Sequence, residues 1–185
     1  MSHAVCPWWI GYFLASPLRR LWQDPHTILS PLVAEGMTAL EPGPGMGFFT
    51  LELARLVGPH GRVIAVDVQP RMLAALRRRA TRRGLAERIE TRQISGESLG
   101  IADLAGRVDF VLAFAMVHEV PDRARFFAEV AAGLEPGGRV LLAEPRGHVS
   151  EALFAKFLQL AAASGLREVS RPVIASSRSA VLTKS

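Results

Sequence analysis

The sequence predicts an α/β protein built around a mostly parallel sheet. Short apolar runs alternate with segments of helical period over most of the chain, a pattern typical of strands that alternate with helices. A glycine-rich turn joins the first of these apolar runs to the first helical segment. The last two apolar runs are separated by too few residues for a parallel crossover, so they predict an antiparallel hairpin at the edge of the sheet.

In its first half, the chain is predicted to form three strands and two helices. The strands are predicted over residues 38–41, 62–67 and 88–93. A first helix over residues 47–57 would end at Gly58 and Pro59. A second helix would begin at Pro70 and end near residue 83, before Gly84, because helices favour proline in the first turn and glycine after the last.

The second half predicts two further strands, two helices and the closing hairpin. The strands are predicted over residues 108–113 and 139–144, the latter after a Pro-Gly-Gly turn at residues 136–138. The helices are predicted over residues 122–133 and 150–163, with Asp122 and Ser150 as N-caps. The hairpin strands are predicted over residues 166–171 and 177–184.

Length and composition predict one globular domain. The chain has 185 residues, of which 49% are hydrophobic and 21% charged, and this is enough to bury a full core. Its single cysteine, Cys6, excludes an internal disulfide and a multi-thiolate metal site, and no metal site is predicted. The apolar stretch over residues 4–15 is too short to span a membrane and follows no basic export signal, so we expect a cytoplasmic protein.

Residues 1–35 are expected to form an arm ahead of a domain that would occupy residues 36–185. The arm carries the aromatic residues Trp8, Trp9, Tyr12 and Phe13, followed by arginines. Three interpretations remain open for it: packing on the domain surface, a lid over an apolar substrate, or peripheral contact with a membrane.

The strongest chemical signal is the run LEPGPGMGFF, in which a predicted strand passes through three glycines into a helix. Glycines let the backbone approach a ligand closely. A dinucleotide fingerprint would need glycine where Phe48 stands, and no phosphate-loop lysine follows. Asp67 ends the second predicted strand, where it would accept hydrogen bonds from two ribose hydroxyls. The pattern therefore predicts a nucleoside-containing ligand.

At this point the chain resembles a known family. The segments ALEPGPGMGFFTLELA and VIAVDVQPRML resemble the first two motifs of class I S-adenosylmethionine-dependent methyltransferases, of the small-molecule, type 11 kind. VDFVLAFAMVHEVPD and LEPGGRVLLAEP resemble the family's fourth-strand and fifth-strand segments. The resemblance implies a Rossmann-like, doubly wound sheet of seven strands, mostly parallel with an antiparallel C-terminal hairpin strand. It also implies S-adenosylmethionine as the cofactor.

The same resemblance implies a role for individual residues. Glu41 would hold the ammonium group of the cofactor, Asp67 its ribose hydroxyls, and Val68 one face of its adenine. The other implied cofactor contacts lie in the glycine loop, the third loop and the fourth strand: Gly43, Pro44, Gly45, Ser95, Gly96, Glu97 and Ala113. In the third loop the chain departs from the family, because Ser95 stands where an aspartate is often found and Glu97 is the nearby acid.

Missing motifs narrow the acceptor. The chain lacks a placed cysteine nucleophile, the Asn/Asp-Pro-Pro-aromatic stretch of adenine methylation, the several thiols of arsenite methyltransferases and the β-rich domain of protein arginine methyltransferases. We therefore expect methyl transfer to a small, apolar or aromatic acceptor. A non-catalytic S-adenosylmethionine-binding protein and, less favoured, an RNA methyltransferase remain as alternatives. The second predicted helix carries a cluster of five arginines, Arg77, Arg78, Arg79, Arg82 and Arg83. We interpret them as solvent-exposed, so a nucleic-acid partner is not expected.

His118 and Glu144 are the candidate catalytic residues. His118 follows the fourth predicted strand, and an imidazole that titrates near neutral pH can remove a proton from the acceptor. The alternative is a loop histidine that only fixes the turn before Pro121. Glu144 ends the fifth predicted strand and would face the same pocket, as would His148; the alternative for each is a structural residue or a residue at the rim. Since a sulfonium methyl group is already activated, positioning alone could supply much of the rate.

Overall fold

The computed structural model describes residues 23–185, which form a seven-stranded sheet with helices on both faces. The strands are β1 Thr38–Pro42, β2 Arg62–Asp67, β3 Ile89–Gln93, β4 Val108–Phe114, β5 Leu134–Pro145, β6 Leu166–Ser170 and β7 Ser177–Lys184. The helices are α1 Pro25–Leu29, α2 Thr50–Leu56, α3 Pro70–Arg82, α4 Arg123–Gly133 and α5 Glu151–Ala163.

The strand order is β3-β2-β1-β4-β5-β7-β6. Strands β1 to β5 pair in parallel, whereas β7 runs antiparallel to both of its neighbours, β5 and β6. The predicted fold class is confirmed, including the antiparallel hairpin, whose first strand is the outermost one. The order reverses between β1 and β4, so the carboxyl ends of these two strands form the crevice in which open α/β sheets bind ligands.

Strand residues alternate between two hydrophobic cores, one on each face of the sheet. On one face, Leu40, Val111 and Leu142 pack with helices α4 and α5. On the other face, Ala39 and Leu112 pack with helices α1, α2 and α3. Because successive residues of a strand point to opposite faces, both sides of every central strand are apolar, as expected of a parallel sheet covered on two sides.

Two predicted boundaries differ from the structure by more than one residue. Helix α2 begins at Thr50 and not at residue 47, because Gly47 has a φ of +85°, which a right-handed helix does not admit. Strand β5 begins at Leu134, ahead of the predicted turn at residues 136–138. Leu134 pairs with Val108, and a register shift between Val108 and Phe110 lets the Pro-Gly-Gly segment lie within the strand as an irregularity.

Helix α1, which the sequence pattern did not predict, lies in the expected arm. Its N-cap is Asp24, whose carboxylate accepts hydrogen bonds from Thr27 N at 3.0 Å and Thr27 Oγ1 at 2.8 Å. Leu29 is fully buried in the core beside α2. The arm residues Cys6, Trp8, Trp9, Tyr12 and Phe13 lie outside the described residues. Among residues 23–185, every helix is too short or too polar to cross a membrane.

Gly47 allows the glycine loop to pack against helix α3. A Cβ atom built there would lie 2.4 Å from Cδ1 of Leu76, which is fully buried. Gly47→Ala is expected to lower the free energy of unfolding by about 2 to 4 kcal/mol, because both the positive φ and the overpacking cost energy. Urea denaturation of the purified variant measures this loss.

Gly84→Ala is the matched control for that substitution. Gly84 also has a positive φ, +66°, but no atom lies within 4 Å of its Cβ position. In this variant the free energy of unfolding should fall only by the cost of the positive φ, about 1 to 2 kcal/mol. Equal losses in the two variants would show that the contact with Leu76 is unimportant.

Candidate active site

A cavity of about 960 Å³ lies at the carboxyl ends of β1, β2 and β4. The strand order reverses between two of these strands, β1 and β4. The cavity brings together most of the residues that the sequence singled out: Glu41, Gly43, Pro44, Gly45, Asp67, Val68, Ser95, Gly96, Glu97 and His118. His148 lines it as well.

The glycine loop follows β1 and forms one wall of the cavity. Gly43 and Gly45 have φ angles of +67° and +54°, which favour glycine. A Cβ atom on Gly43 would lie 3.2 Å from Met116 Cβ, whereas the Cβ position of Gly45 faces open space. Arg79 Nη1 donates a 2.6 Å hydrogen bond to the carbonyl of Met46 and so fixes the loop to helix α3. The backbone at Gly45 is thus accessible to a ligand and held in place.

Glu41 is a buried acid with an unsatisfied oxygen. Its side chain lines the cavity although the residue is only 4% exposed, and Oε2 has no hydrogen-bond partner among residues 23–185. Burial raises the pKa of Glu41 to about 7; the Thr50 side chain acts against this rise, and the nearby Asp67 carboxylate acts with it. A carboxylate in this position is suited to a cationic partner, since a buried charge is costly unless it is paired.

Asp67 ends β2, the strand next to β1, and also lines the cavity. Its Oδ1 accepts a 2.8 Å hydrogen bond from Gln69 N. Burial raises the pKa of Asp67, while backbone N–H groups, that of Gln69 first, act against this rise. The neighbouring Val68 side chain packs against Gly96, where an added Cβ atom would lie 3.2 Å from Val68 Cγ1. The end of β2 and the third loop therefore form one continuous surface.

The third loop, residues 94–99, is anchored by a residue that the sequence did not point to. Ser95, Gly96 and Glu97 are exposed at the cavity. Behind them, Glu129 of helix α4 accepts hydrogen bonds at Oε2 from Leu99 N at 2.6 Å and Ser98 Oγ at 3.2 Å. The sequence pattern did not single out Glu129, because its hydrogen-bond partners Leu99 and Ser98 lie 30 and 31 residues away in the chain.

His118 and Glu144 form a tight pair. Glu144 is fully buried, and its Oε2 lies 2.5 Å from His118 Nδ1 while its Oε1 accepts a 2.7 Å hydrogen bond from Val117 N. The hydrogen bond to Glu144 raises the pKa of His118, although partial burial of the ring opposes this. Since a carboxylate only accepts hydrogen bonds, the neutral ring carries its proton on Nδ1 and keeps its lone pair on Nε2.

Two of the predicted site residues lie outside the cavity lining. Ala113 was expected to contact the cofactor, but its side chain is fully buried in the core beneath α4 and α5, whereas the next residue, Phe114, lines the cavity. Glu144 was expected to act in the reaction itself, but the structure places it behind His118. Within residues 23–185, no group of three or more acidic, histidine or cysteine side chains is arranged to hold a metal ion.

Phe48, Phe49 and Phe114 form an aromatic wall of the cavity. The sequence pattern did not predict this wall. The rings of Phe49 and Phe114 lie 4.3 Å apart between centroids, and Phe48 meets Phe49 edge-on at 5.1 Å. All three line the cavity, together with Met46 and Met116. The available signals were the phenylalanine pair after the glycines and Phe114 at the end of β4, but both patterns are also typical of core residues.

Comparisons with known proteins are in keeping with this geometry. The family model described as "Methyltransferase domain" matches residues 40–142. The ubiquinone/menaquinone biosynthesis C-methyltransferase UbiE of Marinomonas sp. is 30% identical over 131 residues, which cover 71% of this chain and 51% of that protein. An arsenite methyltransferase of Halobacterium salinarum is 35% identical over 112 residues, 60% of this chain and 28% of that protein. The chain thus spans about half the length of the UbiE relative.

A crystal structure of a SAM-dependent methyltransferase from Aquifex aeolicus shares the fold. It aligns with a TM-score of 0.84 at 23% identity and covers 97% of this chain and 98% of that one. The similarity therefore extends through the sheet and its closing hairpin.

Proposed function

The chain belongs to the methyltransferase-domain family, and from this premise we propose that it transfers a methyl group from S-adenosylmethionine to a small apolar or aromatic acceptor. The observation that carries the proposal is the unsatisfied, buried oxygen of Glu41, which lies in one cavity with the glycine loop and Asp67. A carboxylate with one oxygen unpaired among residues 23–185 is suited, at this place, to a ligand that brings a cation.

The residues present fit S-adenosylmethionine. Glu41 would pair with its ammonium group, and the accessible backbone at Gly45 would lie against the methionine part. Asp67 would accept hydrogen bonds from the ribose hydroxyls. Further contacts would come from Gly43 and Pro44 in the glycine loop, and from Val68, Ser95, Gly96 and Glu97 around adenine. When bound, the cofactor supplies a methyl group on a positively charged sulfur, which leaves as a neutral thioether.

The aromatic wall supports an apolar or aromatic acceptor. Phe49, Phe114 and Met116 line the same cavity and are not among the proposed cofactor contacts, and such side chains favour a planar apolar molecule. The similarity to a C-methyltransferase of quinone biosynthesis favours the same class. The arsenite methyltransferase relative does not change this choice, because the only cysteine here is Cys6.

His118 would act as the general base. With Nδ1 donating to Glu144, Nε2 carries the lone pair of the ring and would take a proton from a hydroxyl or an acidic carbon of the acceptor as the new bond to the methyl group forms. The fully buried Glu144 holds the ring in this orientation. Because the hydrogen bond to Glu144 raises the pKa of His118, the reactive neutral form would increase with pH above the ordinary value of 6.5.

Asp67→Asn is expected to weaken the binding of S-adenosylmethionine and S-adenosylhomocysteine by about tenfold to a hundredfold. The substitution keeps the shape of the side chain but removes the charge that strengthens two hydrogen bonds, which are worth about 1.5 to 3 kcal/mol each when charge-assisted. Isothermal titration of each ligand into the purified protein measures the change.

Asp103→Asn is the matched control. Asp103 is exposed, pairs with Arg92 and does not line the cavity, so the variant should bind both ligands as the unaltered protein does. An unaltered protein that binds neither ligand would contradict the proposal. Tight binding with no methyl transfer to any apolar or aromatic compound would instead favour the non-catalytic alternative.

A further inference from the structure

A second imidazole adjoins the His118–Glu144 pair. His148 Nδ1 lies 3.4 Å from His118 Nε2, and the two rings meet edge to face with centroids 5.3 Å apart. The three side chains are graded in exposure: Glu144 is fully buried, the His118 side chain is 17% exposed, and His148 is exposed at the cavity. They form a line that leads from the protein interior to solvent.

The backbone that carries His148 is firmly held. His148 N and Val149 N both donate to the carbonyl of Pro145, at 3.0 and 2.9 Å, in a turn that directly follows β5. Val149 is fully buried, and its carbonyl accepts a 2.8 Å hydrogen bond from Arg178 Nε. The contact between the two imidazoles therefore rests on an anchored turn.

The charged groups around His118 are few. On its own 3₁₀ turn, Val117–Glu119, Glu119 Oε1 lies 3.9 Å from His118 Nε2. From helix α4, Arg123 donates to the carbonyl of His118 at 2.7 Å and to that of Val117 at 3.0 Å. From β5, Glu144 engages Nδ1. On the cavity side, the neighbour within hydrogen-bond distance of Nε2 in the described part of the chain is His148.

We propose that Glu144, His118 and His148 form a proton relay in which His148 carries the proton of the acceptor from His118 to solvent. The inference rests on the proposed function, because a proton must leave only if an acceptor is methylated. The proposal gives His148 a role in the reaction, in addition to the roles of His118 and Glu144.

For each methyl group transferred, the relay takes one proton from the acceptor and releases one proton to water. As the methyl–sulfur bond breaks and the methyl–acceptor bond forms, the acceptor's proton passes to Nε2 of His118, whose Nδ1–H stays bound to Glu144. Once the methylated product has moved away from Nε2, this proton passes to the lone pair on Nδ1 of His148, 3.4 Å away, and His148 releases its own proton from Nε2 to water. Exchange with solvent at the exposed His148 ring restores the starting tautomer, and His118 is again ready to accept a proton.

Histidine NMR on the full chain without cofactor tests the contact itself. In protein with ¹⁵N-labelled histidine, the neutral form of His118 should be protonated at Nδ1. His148→Gln should shift the His118 midpoint by several tenths of a pH unit, whereas His60→Gln, at an exposed position outside the cavity, should leave it unchanged. An identical His118 titration in the unaltered protein and His148→Gln would overturn the relay.

Kinetics test the proton transfer. His148→Gln should lower kcat by about tenfold, a small part of the 10² to 10⁴ that general base catalysis contributes, with the KM for S-adenosylmethionine unchanged. Added imidazole should restore part of the loss. Unchanged kcat and pH profile would reject the relay. Failure of the unaltered protein to bind S-adenosylmethionine would overturn the proposed function. If the protein binds S-adenosylmethionine but His148→Gln leaves the His118 titration unchanged, the relay alone would be overturned.

Discussion

Glu41→Gln is expected to weaken S-adenosylmethionine binding by about a hundredfold at pH 8, since breaking a buried ion pair costs several kcal/mol and each 1.4 kcal/mol is tenfold in affinity. The same substitution is expected to stabilise the protein without ligand. The two effects have one cause. The buried oxygen of Glu41 has no hydrogen-bond partner among residues 23–185, so its charge is unfavourable until a cationic ligand arrives.

The stability effect depends on pH. The pKa of Glu41 rises from 4.5 to about 7 on folding, so the folded protein binds this proton more tightly than the unfolded chain. The stability that Glu41 contributes is therefore fully present below pH 4.5 and is lost as the pH rises to about 7. The loss amounts to about 3 kcal/mol, and glutamine should recover about 2 kcal/mol of it at pH 8, since its own buried amide is costly.

Titration calorimetry and urea denaturation between pH 5 and 8 measure both effects. Affinity of the unaltered protein should fall about tenfold for each pH unit below 7, because binding selects the ionised carboxylate, whereas affinity of Glu41→Gln should be less sensitive to pH. Glu52→Gln is the control, since Glu52 is as buried as Glu41 but is paired with His26 and Arg55 outside the cavity. It should destabilise the protein and leave binding unchanged. A Glu41→Gln variant that loses stability at pH 8 would show that the acid is satisfied by the fold.

Glu144→Gln is expected to lower kcat by about 10² to 10³ while the affinity for S-adenosylmethionine stays the same. Glutamine can still accept the hydrogen bond from Val117 N through its oxygen. Its amide nitrogen would then face His118 Nδ1 as a donor. The ring would turn to the tautomer protonated at Nε2, and the lone pair that receives the acceptor's proton would be lost.

The pH profile separates this effect from a structural one. Since the hydrogen bond to Glu144 raises the pKa of His118, the acid limb of kcat/KM should lie above pH 6.5 in the unaltered protein and move to lower pH in Glu144→Gln. His118→Gln should show a loss of similar size, and the double variant no further loss, because the two residues act as a unit. Additive losses, or an acid limb that does not move, would count against a shared role.

Much of the site could be predicted because its signals are local. The glycine loop and Asp67 were found since a sharp turn between a strand and a helix requires residues that tolerate positive φ, and an acid at the next strand end follows the same sheet edge. The aromatic wall was not found, because Phe49 and Phe114 are also typical core residues, and which of them faces a cavity depends on how distant segments pack.

The sequence by itself determined the alternation of strands and helices, the antiparallel hairpin and the glycine-rich loop, because periodicity, glycine and proline act within a few residues. Only the tertiary structure decided which side chains meet. The pairing of Ala113 with Leu142 and of Phe114 with Ala143 turns Ala113 into the core and leaves Phe114 at the cavity. The same packing brings Glu144 within reach of His118, 26 residues away. The register between strands that are distant in sequence sets such contacts, and no local sequence pattern indicates that register.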